Sequence, residues 1–189
     1  FFDNKGNILK FNNNAKLIWK KNNYSKAEKK MKPILFFSTN PNYLIVADTV
    51  AKYYALDINS GKIIWSKNNS APFNSQIKIF KEKFFVVDSE NIIWCFSIKD
   101  GSFIWSFKTE KPFIKSQKKN SLVIKNNKVI FNNSLGDITA LDLYSGELMW
   151  QTPTQTKAIY ENALFLKSAD LIIGKNSIFA SNNMNEFFS

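Results

Sequence analysis

Histidine and arginine are absent from this sequence of 189 residues, and there is only one cysteine, Cys95. Without histidine, neither a Ser-His-Asp or Cys-His nucleophile system nor a histidine-containing zinc site can be built from these residues. A single cysteine forms no intrachain disulfide, and we expect Cys95 to be a buried, unreactive thiol because no histidine or arginine is present to lower its pKa. All 26 positively charged residues are lysines, which argues against sequence-specific nucleic-acid binding, since base recognition depends strongly on arginine.

Long apolar runs, glycine and proline are also scarce. No stretch approaches the roughly 20 apolar residues of a transmembrane helix, so we expect any membrane contact to be peripheral. The 6 glycines and 5 prolines are too few for a collagen-like chain or a flexible linker, while a hydrophobic content of 44%, with 18 phenylalanines, predicts a packed core. The sequence opens at Phe1-Phe2-Asp3 without an initiator methionine, and we expect it to be an internal fragment of a longer protein.

A tryptophan-ended repeat is the strongest pattern in the sequence. Trp19, Trp65, Trp105 and Trp150 are each preceded by two apolar residues, and successive anchors are 46, 40 and 45 residues apart. In the last three copies, glycine stands four residues before the anchor, Asp or Ser eight before, Ala or Cys ten before, and Asp or Asn seventeen before. These positions hold Gly61, Gly101 and Gly146; Asp57, Ser97 and Asp142; Ala55, Cys95 and Ala140; and Asp48, Asp88 and Asn133. Agreement at several fixed offsets indicates an internal repeat.

Each full copy is predicted to contain four short β-strands. Runs of β-branched and aromatic residues, such as Tyr43 to Ala47 and Gln76 to Phe80, alternate with Gly, Asn, Asp and Ser turns. Four-stranded antiparallel units with this period are typical of β-propeller blades, and only Ser25 to Met31 is predicted to be helical. We therefore predict an all-β fold, a single partial β-propeller domain over residues 1–189 with about four to five four-stranded antiparallel blades. Their expected limits are roughly 1–24 (partial), 33–68, 74–109, 120–153 and 162–189 (partial).

The motif resembles the tryptophan-docking repeat of quinoprotein-like (PQQ-like repeat) β-propellers. Residues 55–65 carry the full pattern Ala-x-Asp-x-x-x-Gly-Lys-x-x-Trp, residues 140–150 match it equally well, and the other two copies are degenerate. WD40 propellers are not indicated, because no anchor tryptophan is followed by aspartate. The resemblance implies a propeller of eight blades in which tryptophan packs between neighbouring blades, alanine leaves room for it, glycine makes a turn and aspartate accepts backbone hydrogen bonds. The residues assigned to these structural roles are Trp19, Ala55, Asp57, Gly61, Trp65, Gly101, Trp105, Ala140, Asp142, Gly146 and Trp150.

Two branches of this family differ in function. Quinone-dependent dehydrogenases hold pyrroloquinoline quinone and calcium on the propeller axis, and their alcohol-oxidising members carry a vicinal Cys-Cys pair that is absent here. The sequence shows no clustered acidic motif that suggests calcium ligands, so we assign no catalytic, cofactor-binding or metal-binding residue. The plain blade sequences are most similar to the BamB family of outer-membrane protein assembly factors. That resemblance implies a non-catalytic, protein-binding scaffold in the periplasm, associated with the outer membrane, with the β-barrel assembly machinery as its partner.

Two other functions agree with the same sequence pattern. One is a propeller fragment of a PQQ-dependent dehydrogenase, and the other is a ligand-sensing propeller domain of a signalling protein. An open arc of blades also exposes strand edges at both ends, and exposed edges pair readily with another chain. A homodimer through the blade edges is therefore a further expected interaction.

Lysines are concentrated in two stretches between predicted blades, and the net charge is +11. One stretch follows Trp19 and the other follows Trp105, and equivalent positions in adjacent blades would place both on one rim. They are either solvated loops or a basic surface that faces an acidic partner or anionic headgroups. The candidate partner-facing residues are Lys26, Lys29, Lys30, Lys115, Lys118 and Lys119.

Overall fold

The computed structural model describes residues 2–3, 5–111, 119–152, 170–175, 177–181 and 187–188. Blade 1 contains β1 (Asn7–Phe11) and β2 (Leu17–Asn22), followed by helix α1 (Lys26–Lys30). Blade 2 contains β3 (Leu35–Thr39), β4 (Tyr43–Asp48), β5 (Lys52–Asp57) and β6 (Ile63–Asn68). Blade 3 contains β7 (Lys78–Phe80), β8 (Lys83–Val87), β9 (Ile92–Ser97) and β10 (Phe103–Lys108). Blade 4 contains β11 (Leu122–Lys125), β12 (Lys128–Asn132), β13 (Ile138–Asp142) and β14 (Leu148–Thr152). Blade 5 contains β15 (Ile172–Ile173), β16 (Ile178–Ser181) and β17 (Phe187–Phe188). Strands pair antiparallel in sequence order within each blade, which confirms the all-β prediction.

Neighbouring blades pack face to face through middle strands that are apolar on both sides. In β4, Ile45 and Ala47 belong to the core shared with blade 3, whereas Leu44 and Val46 belong to the core shared with blade 1. Successive side chains of a strand point to opposite faces, so a strand buried on both sides requires a run without polar residues. Cores of the same construction lie between blades 3 and 4 and between blades 4 and 5.

The first strand of each complete blade is the innermost. β7 lies beside both β3 and β11, and β11 lies beside β15, so these strands converge on one axis. The fourth strand, β6, β10 or β14, is outermost, and most of its residues are exposed. The antiparallel order places α1 and the turns 48–52, 88–92 and 133–137 on one face, here called the link face. The turns 12–16, 57–62, 97–102 and 142–147 lie on the opposite face, here called the turn face.

A β-bulge interrupts the tryptophan-bearing strand of blades 1 to 4. In blade 2, Leu56 pairs with Ile63 while Ala55 pairs with Trp65, which leaves Ile64 as an extra residue. The same shift of register leaves an extra Ile18, Ile104 and Met149 in the other three blades. A bulge bends and twists its strand, and both apolar residues before each tryptophan are 37–58% exposed. In a regular strand, one of two consecutive residues faces the core and the other faces solvent. Here both apolar residues before each tryptophan face solvent.

The first strand of blade 3 is shorter than the sequence predicts. The prediction covers Gln76 to Phe80, but β7 begins at Lys78. The Ser75 hydroxyl accepts a hydrogen bond from the Val87 N–H at 2.7 Å and donates one to the Gln76 carbonyl at 2.8 Å. The Ser75 hydroxyl thus occupies the Val87 N–H, which a longer β7 would use to pair with β8. Pairing between β7 and β8 therefore begins at Lys78, two residues later than predicted.

A buried aspartate or asparagine shapes the turn between the second and third strands. Oδ1 of Asp48 accepts hydrogen bonds from the N–H groups of Val50 and Lys52, both at 2.9 Å. Asp88 and Asn133 accept the same pair of backbone bonds in the next two blades. Burial raises the pKa of both Asp48 and Asp88 above the usual value for an aspartate side chain. Since asparagine replaces aspartate in blade 4, the turn requires an oxygen acceptor rather than a negative charge.

Replacing Asp48 by asparagine is expected to lower the free energy of unfolding by about 1–2 kcal/mol, because the amide oxygen accepts the same two backbone bonds while the bond that the Tyr24 hydroxyl donates to Oδ2 is lost. Asp48→Ala leaves these two N–H groups and the Tyr24 hydroxyl without their acceptor and is expected to cost about 3–5 kcal/mol. Urea denaturation followed by tryptophan fluorescence measures both variants. An alanine variant as stable as the asparagine variant would show that this side chain does not hold the turn.

Candidate functional site

A tryptophan of one blade lies against a glycine of the next blade at three places. The pairs are Trp19 with Gly61, Trp65 with Gly101, and Trp105 with Gly146. A Cβ atom added to Gly101 would lie 2.7 Å from the Trp65 ring, and the other two glycines are equally crowded, at 2.8 and 2.5 Å. All three glycines have positive φ, between 65° and 76°. Glycine is therefore required for two reasons, the left-handed backbone and the close approach of the ring.

Two of these tryptophans also donate a hydrogen bond to a backbone carbonyl of the next blade. Trp65 Nε1 donates to the Ile98 carbonyl at 2.8 Å, and Trp19 Nε1 donates to the Ile58 carbonyl at 3.2 Å. Trp105 Nε1 is buried and has no partner among the described residues. Packing on glycine is thus common to the three contacts, whereas the hydrogen bond is not. The sequence could not identify these acceptors, because every residue type carries a carbonyl.

A small side chain faces each tryptophan across the third and fourth strands of its own blade. The pairs are Ala55 with Trp65, Cys95 with Trp105, and Ala140 with Trp150. The three small residues are fully buried, whereas Trp150 is 37% exposed. Cys95 is a buried free thiol, as the sequence predicts, and burial raises its pKa to about 12.

Aspartates close the turns that precede the outer strands on the turn face. Asp57 Oδ1 accepts hydrogen bonds from the Ser60 hydroxyl at 2.6 Å and from its N–H at 2.7 Å, and Asp142 forms an equivalent turn. In the third copy, where serine replaces the aspartate, Asp100 accepts a bond from the Ser102 hydroxyl at 2.8 Å instead. These bonds lower the pKa of Asp57 and Asp142, and that of Asp100 to about 2. Each of these carboxylates is thus held within its own turn.

Trp94, the tryptophan outside the repeat, contributes to the packing of blade 3. Its Nε1 donates to the buried carboxylate of Asp88 at 2.8 Å, and its ring stacks on Phe96 with 5.8 Å between centroids. It also packs against the core shared by blades 2 and 3. These contacts give Trp94 a role in the core and leave its indole N–H bonded to Asp88.

The candidate lysines Lys26, Lys29 and Lys30 lie in α1 on the link face, where the sequence predicts a short helix. The helix begins with a capping box, in which Ser25 Oγ accepts from the Glu28 N–H and the Glu28 carboxylate accepts from the Ser25 N–H. Lys26 and Lys30 are exposed and Lys29 is half-buried. The capped helix therefore presents a fixed group of positive charges.

Lys119, from the second lysine stretch, is exposed, and Lys115 and Lys118 lie outside the described residues. Lys119 Nζ lies 5.6 Å from the centroid of the Phe36 ring, near the start of β3. The following residue, Asn120, donates its N–H to the Asn74 carbonyl at 2.7 Å. The described parts of both lysine stretches therefore lie on the link face.

Within the described ranges, no helix is long and apolar enough to cross a membrane. Across the same residues, no three cysteine, aspartate or glutamate side chains are grouped in a way that would hold a metal ion.

Residues 4–189 match the family described as outer membrane protein assembly factor BamB. The chain belongs to this family. The crystal structure of BamB from Moraxella catarrhalis is similar, with a TM-score of 0.72 and 16% sequence identity, over 89% of this chain and 50% of that chain. This chain therefore spans about half the length of that BamB. No curated protein sequence is significantly similar to it.

Two other solved structures share the fold with the BamB-family chain. The computationally designed Ika4 protein matches with a TM-score of 0.64 and 11% identity, over 82% of this chain and 89% of that chain. A europium-containing methanol dehydrogenase matches with a TM-score of 0.54 and 16% identity, over 65% of this chain and 26% of that chain. At these identities the similarity shows the fold alone.

Gly101→Ala is expected to lower the free energy of unfolding by about 2–5 kcal/mol, of which about 1–2 comes from the left-handed backbone and the rest from displacing the Trp65 ring. Asn127→Ala is the matched control, because Asn127 is exposed and has a φ of 61°. It is expected to cost only the backbone part. Chemical denaturation compares the two variants, and equal losses would show that the ring contact contributes no stability.

Proposed function

We propose that this chain is part of a non-catalytic scaffold that binds proteins and supports the assembly of outer-membrane β-barrel proteins in the periplasm. The family match over residues 4–189 carries the proposal. The similarity to BamB from Moraxella catarrhalis supports it at the level of the fold. In this role the tryptophan contacts build the scaffold, and the partner binds to its outer surfaces.

The outer strands offer an apolar surface for such a partner. Each outer strand of blades 1 to 4 exposes the two large apolar residues that precede its tryptophan, here called the outer apolar pairs. They are Leu17-Ile18, Ile63-Ile64, Phe103-Ile104 and Leu148-Met149. Contiguous exposed apolar residues mark protein-interaction surfaces more often than isolated ones do. Among the described residues, no further strand pairs with the outer edges of β6, β10 and β14, so these edges are open to a partner.

The link face offers positive charge. Lys26, Lys29 and Lys30 project from a capped helix in a chain of net charge +11. Such a group increases the rate of association with an acidic partner and makes binding sensitive to salt. We therefore assign the lysines of α1 to the orientation of the partner and the outer apolar pairs to its affinity.

Charge reversal of α1 tests this assignment. Lys26→Glu, Lys29→Glu and Lys30→Glu together are expected to weaken binding to the purified β-barrel assembly machinery about tenfold at low salt. The matched control reverses three exposed lysines on the turn face, Lys16, Lys62 and Lys99, and is expected to bind as the parent chain does. Surface plasmon resonance at several salt concentrations measures both.

Two outcomes of this experiment contradict the proposal. If the parent chain does not bind the assembly machinery, the scaffold role fails. If both triple variants weaken binding equally, the effect is one of net charge and the link face is not the partner surface. Sedimentation velocity of the same samples tests the predicted homodimer through the blade edges, which a folded monomer at all concentrations would rule out.

The shared fold with a methanol dehydrogenase makes a quinone enzyme the second candidate function. Incubation of the chain with pyrroloquinoline quinone and calcium distinguishes the two candidates. The scaffold proposal predicts no cofactor absorbance in the purified protein and no dye-linked alcohol oxidation. The appearance of both would replace it with the dehydrogenase function.

A further inference from the structure

A pocket of about 420 Å³ opens on the link face between blade 1 and α1. Three lysines and two asparagines line it, namely Lys5, Asn7, Asn22, Lys29 and Lys32. Its volume lies in the range of small-molecule sites, and no acidic side chain is among its lining residues. The pocket lies apart from the tryptophan contacts and the outer apolar pairs.

Hydrogen bonds fix the wall of the pocket that belongs to blade 1. Asp3 Oδ1 accepts from the N–H groups of Lys5 and Asn7, at 3.0 and 2.9 Å, and Asp3 Oδ2 accepts from Asn7 Nδ2 at 2.7 Å. Asn22 Nδ2 donates to the Lys5 carbonyl and to Asn7 Oδ1, both at 3.0 Å. The side-chain amides of Asn7 and Asn22 are thus hydrogen-bonded within the wall. The lysine ammonium groups are therefore the groups that would contact a ligand.

The opposite wall is fixed by Tyr24 and α1. The Tyr24 hydroxyl donates to Oδ2 of the buried Asp48 at 2.5 Å, which anchors the segment before α1 to blade 2. Lys32 follows the C-cap of α1 with a left-handed backbone, φ 50°, and its N–H donates to the Lys29 carbonyl at 3.2 Å, so the chain turns back at this point and both lysines line the pocket. Lys29 and Lys32 therefore reach the same pocket as Lys5 from a frame that is anchored independently of any ligand.

Positive charge outweighs negative charge at the pocket. The carboxylate of Asp3 lies in the wall of blade 1, where it accepts hydrogen bonds from the Lys5 N–H and the Asn7 side chain, and Glu28 forms an ion pair with Lys52 at 3.1 Å. The three pocket lysines form no ion pair with any residue that the structure describes. Like charges around one small cavity repel each other, and a bound anion would remove that repulsion.

We propose that this pocket binds a phosphate group presented as a phosphomonoester. Such a group carries about −1.5 to −2 charges at pH 7 and three strong acceptor oxygens, which matches three ammonium groups better than a singly charged carboxylate does. Lysine binds phosphate as a point charge, so binding does not require the arginine that this chain lacks. The protein-binding role proposed above can fail while this pocket still binds phosphate, and the reverse also holds.

Titration with glycerol 3-phosphate at low ionic strength, followed by the NMR signals of the lysine ammonium groups, tests the proposal. We expect a saturable shift with a higher affinity at about pH 7.5 than at about pH 5.5, because the second ionisation of the phosphate has a pKa of about 6. Sulfate is the matched ligand, since it is a dianion at both pH values and its affinity should stay constant.

The variant for this test is Lys5→Gln with Lys32→Gln, which is expected to lower the affinity at least about tenfold. The control, Lys62→Gln with Lys99→Gln on the turn face, removes the same charge and is expected to bind as the parent chain does. All four lysines are exposed, so both variants are expected to fold, and their thermal unfolding midpoints check this. Lys26, Lys29 and Lys30 stay unchanged, so the result is separate from the test of partner binding.

Vesicles of phosphatidic acid, compared with vesicles of phosphatidylcholine, distinguish a lipid headgroup from a soluble ester. The proposal is supported if the parent chain binds either the vesicles or the soluble ester, the Lys5 and Lys32 variant loses this binding, and the control variant keeps it. Equal binding by the two variants, binding no stronger than that of chloride, or a phosphate affinity that does not rise with pH overturns the proposal.

Discussion

The arrangement of the blades depends on one contact, a tryptophan ring lying on a glycine of the next blade. Each blade presents two apolar faces, and apolar burial alone does not fix how two sheets are offset, because the hydrophobic effect is not directional. Trp65 on Gly101 sets one separation between two blades, since any Cβ atom at residue 101 would enter the ring. Repetition of the contact at Trp19 and Trp105 gives successive blades a common spacing around one axis.

Three local features of each blade form these contacts, and one of them also shapes the outer surface. In blade 2, Ala55 leaves space opposite Trp65, and the Asp57 turn leads into Gly61, which receives the Trp19 ring of blade 1. The bulge at Ile64 redirects the outer strand just before Trp65. The same bulge leaves two neighbouring apolar side chains exposed. The bulge thus contributes both to the position of the tryptophan and to the proposed partner surface.

The sequence predicts the parts of this arrangement that depend on residue type. Gly101 and Trp65 recur at fixed offsets because glycine adopts that backbone without strain and alone leaves room for the ring, and a large ring fills that gap. The acceptor at Ile98 could not be predicted, since a backbone carbonyl leaves no trace in the sequence. The bulge had one signal, two consecutive apolar residues in an exposed strand. The sequence carried no signal of the pocket, because Lys5 and Lys29 are brought together by contacts between segments that are distant in the sequence.

A double-mutant cycle between Trp65 and Gly101 tests the central claim most directly. Trp65→Ala alone is expected to cost about 3–5 kcal/mol of unfolding free energy. In the Trp65→Ala background, Gly101→Ala should cost only the left-handed backbone, about 1–2 kcal/mol. We therefore expect a coupling energy of about 1–3 kcal/mol between the two sites. Additive effects, with no coupling beyond experimental error, would contradict the claim that the ring on the glycine sets the position of the next blade.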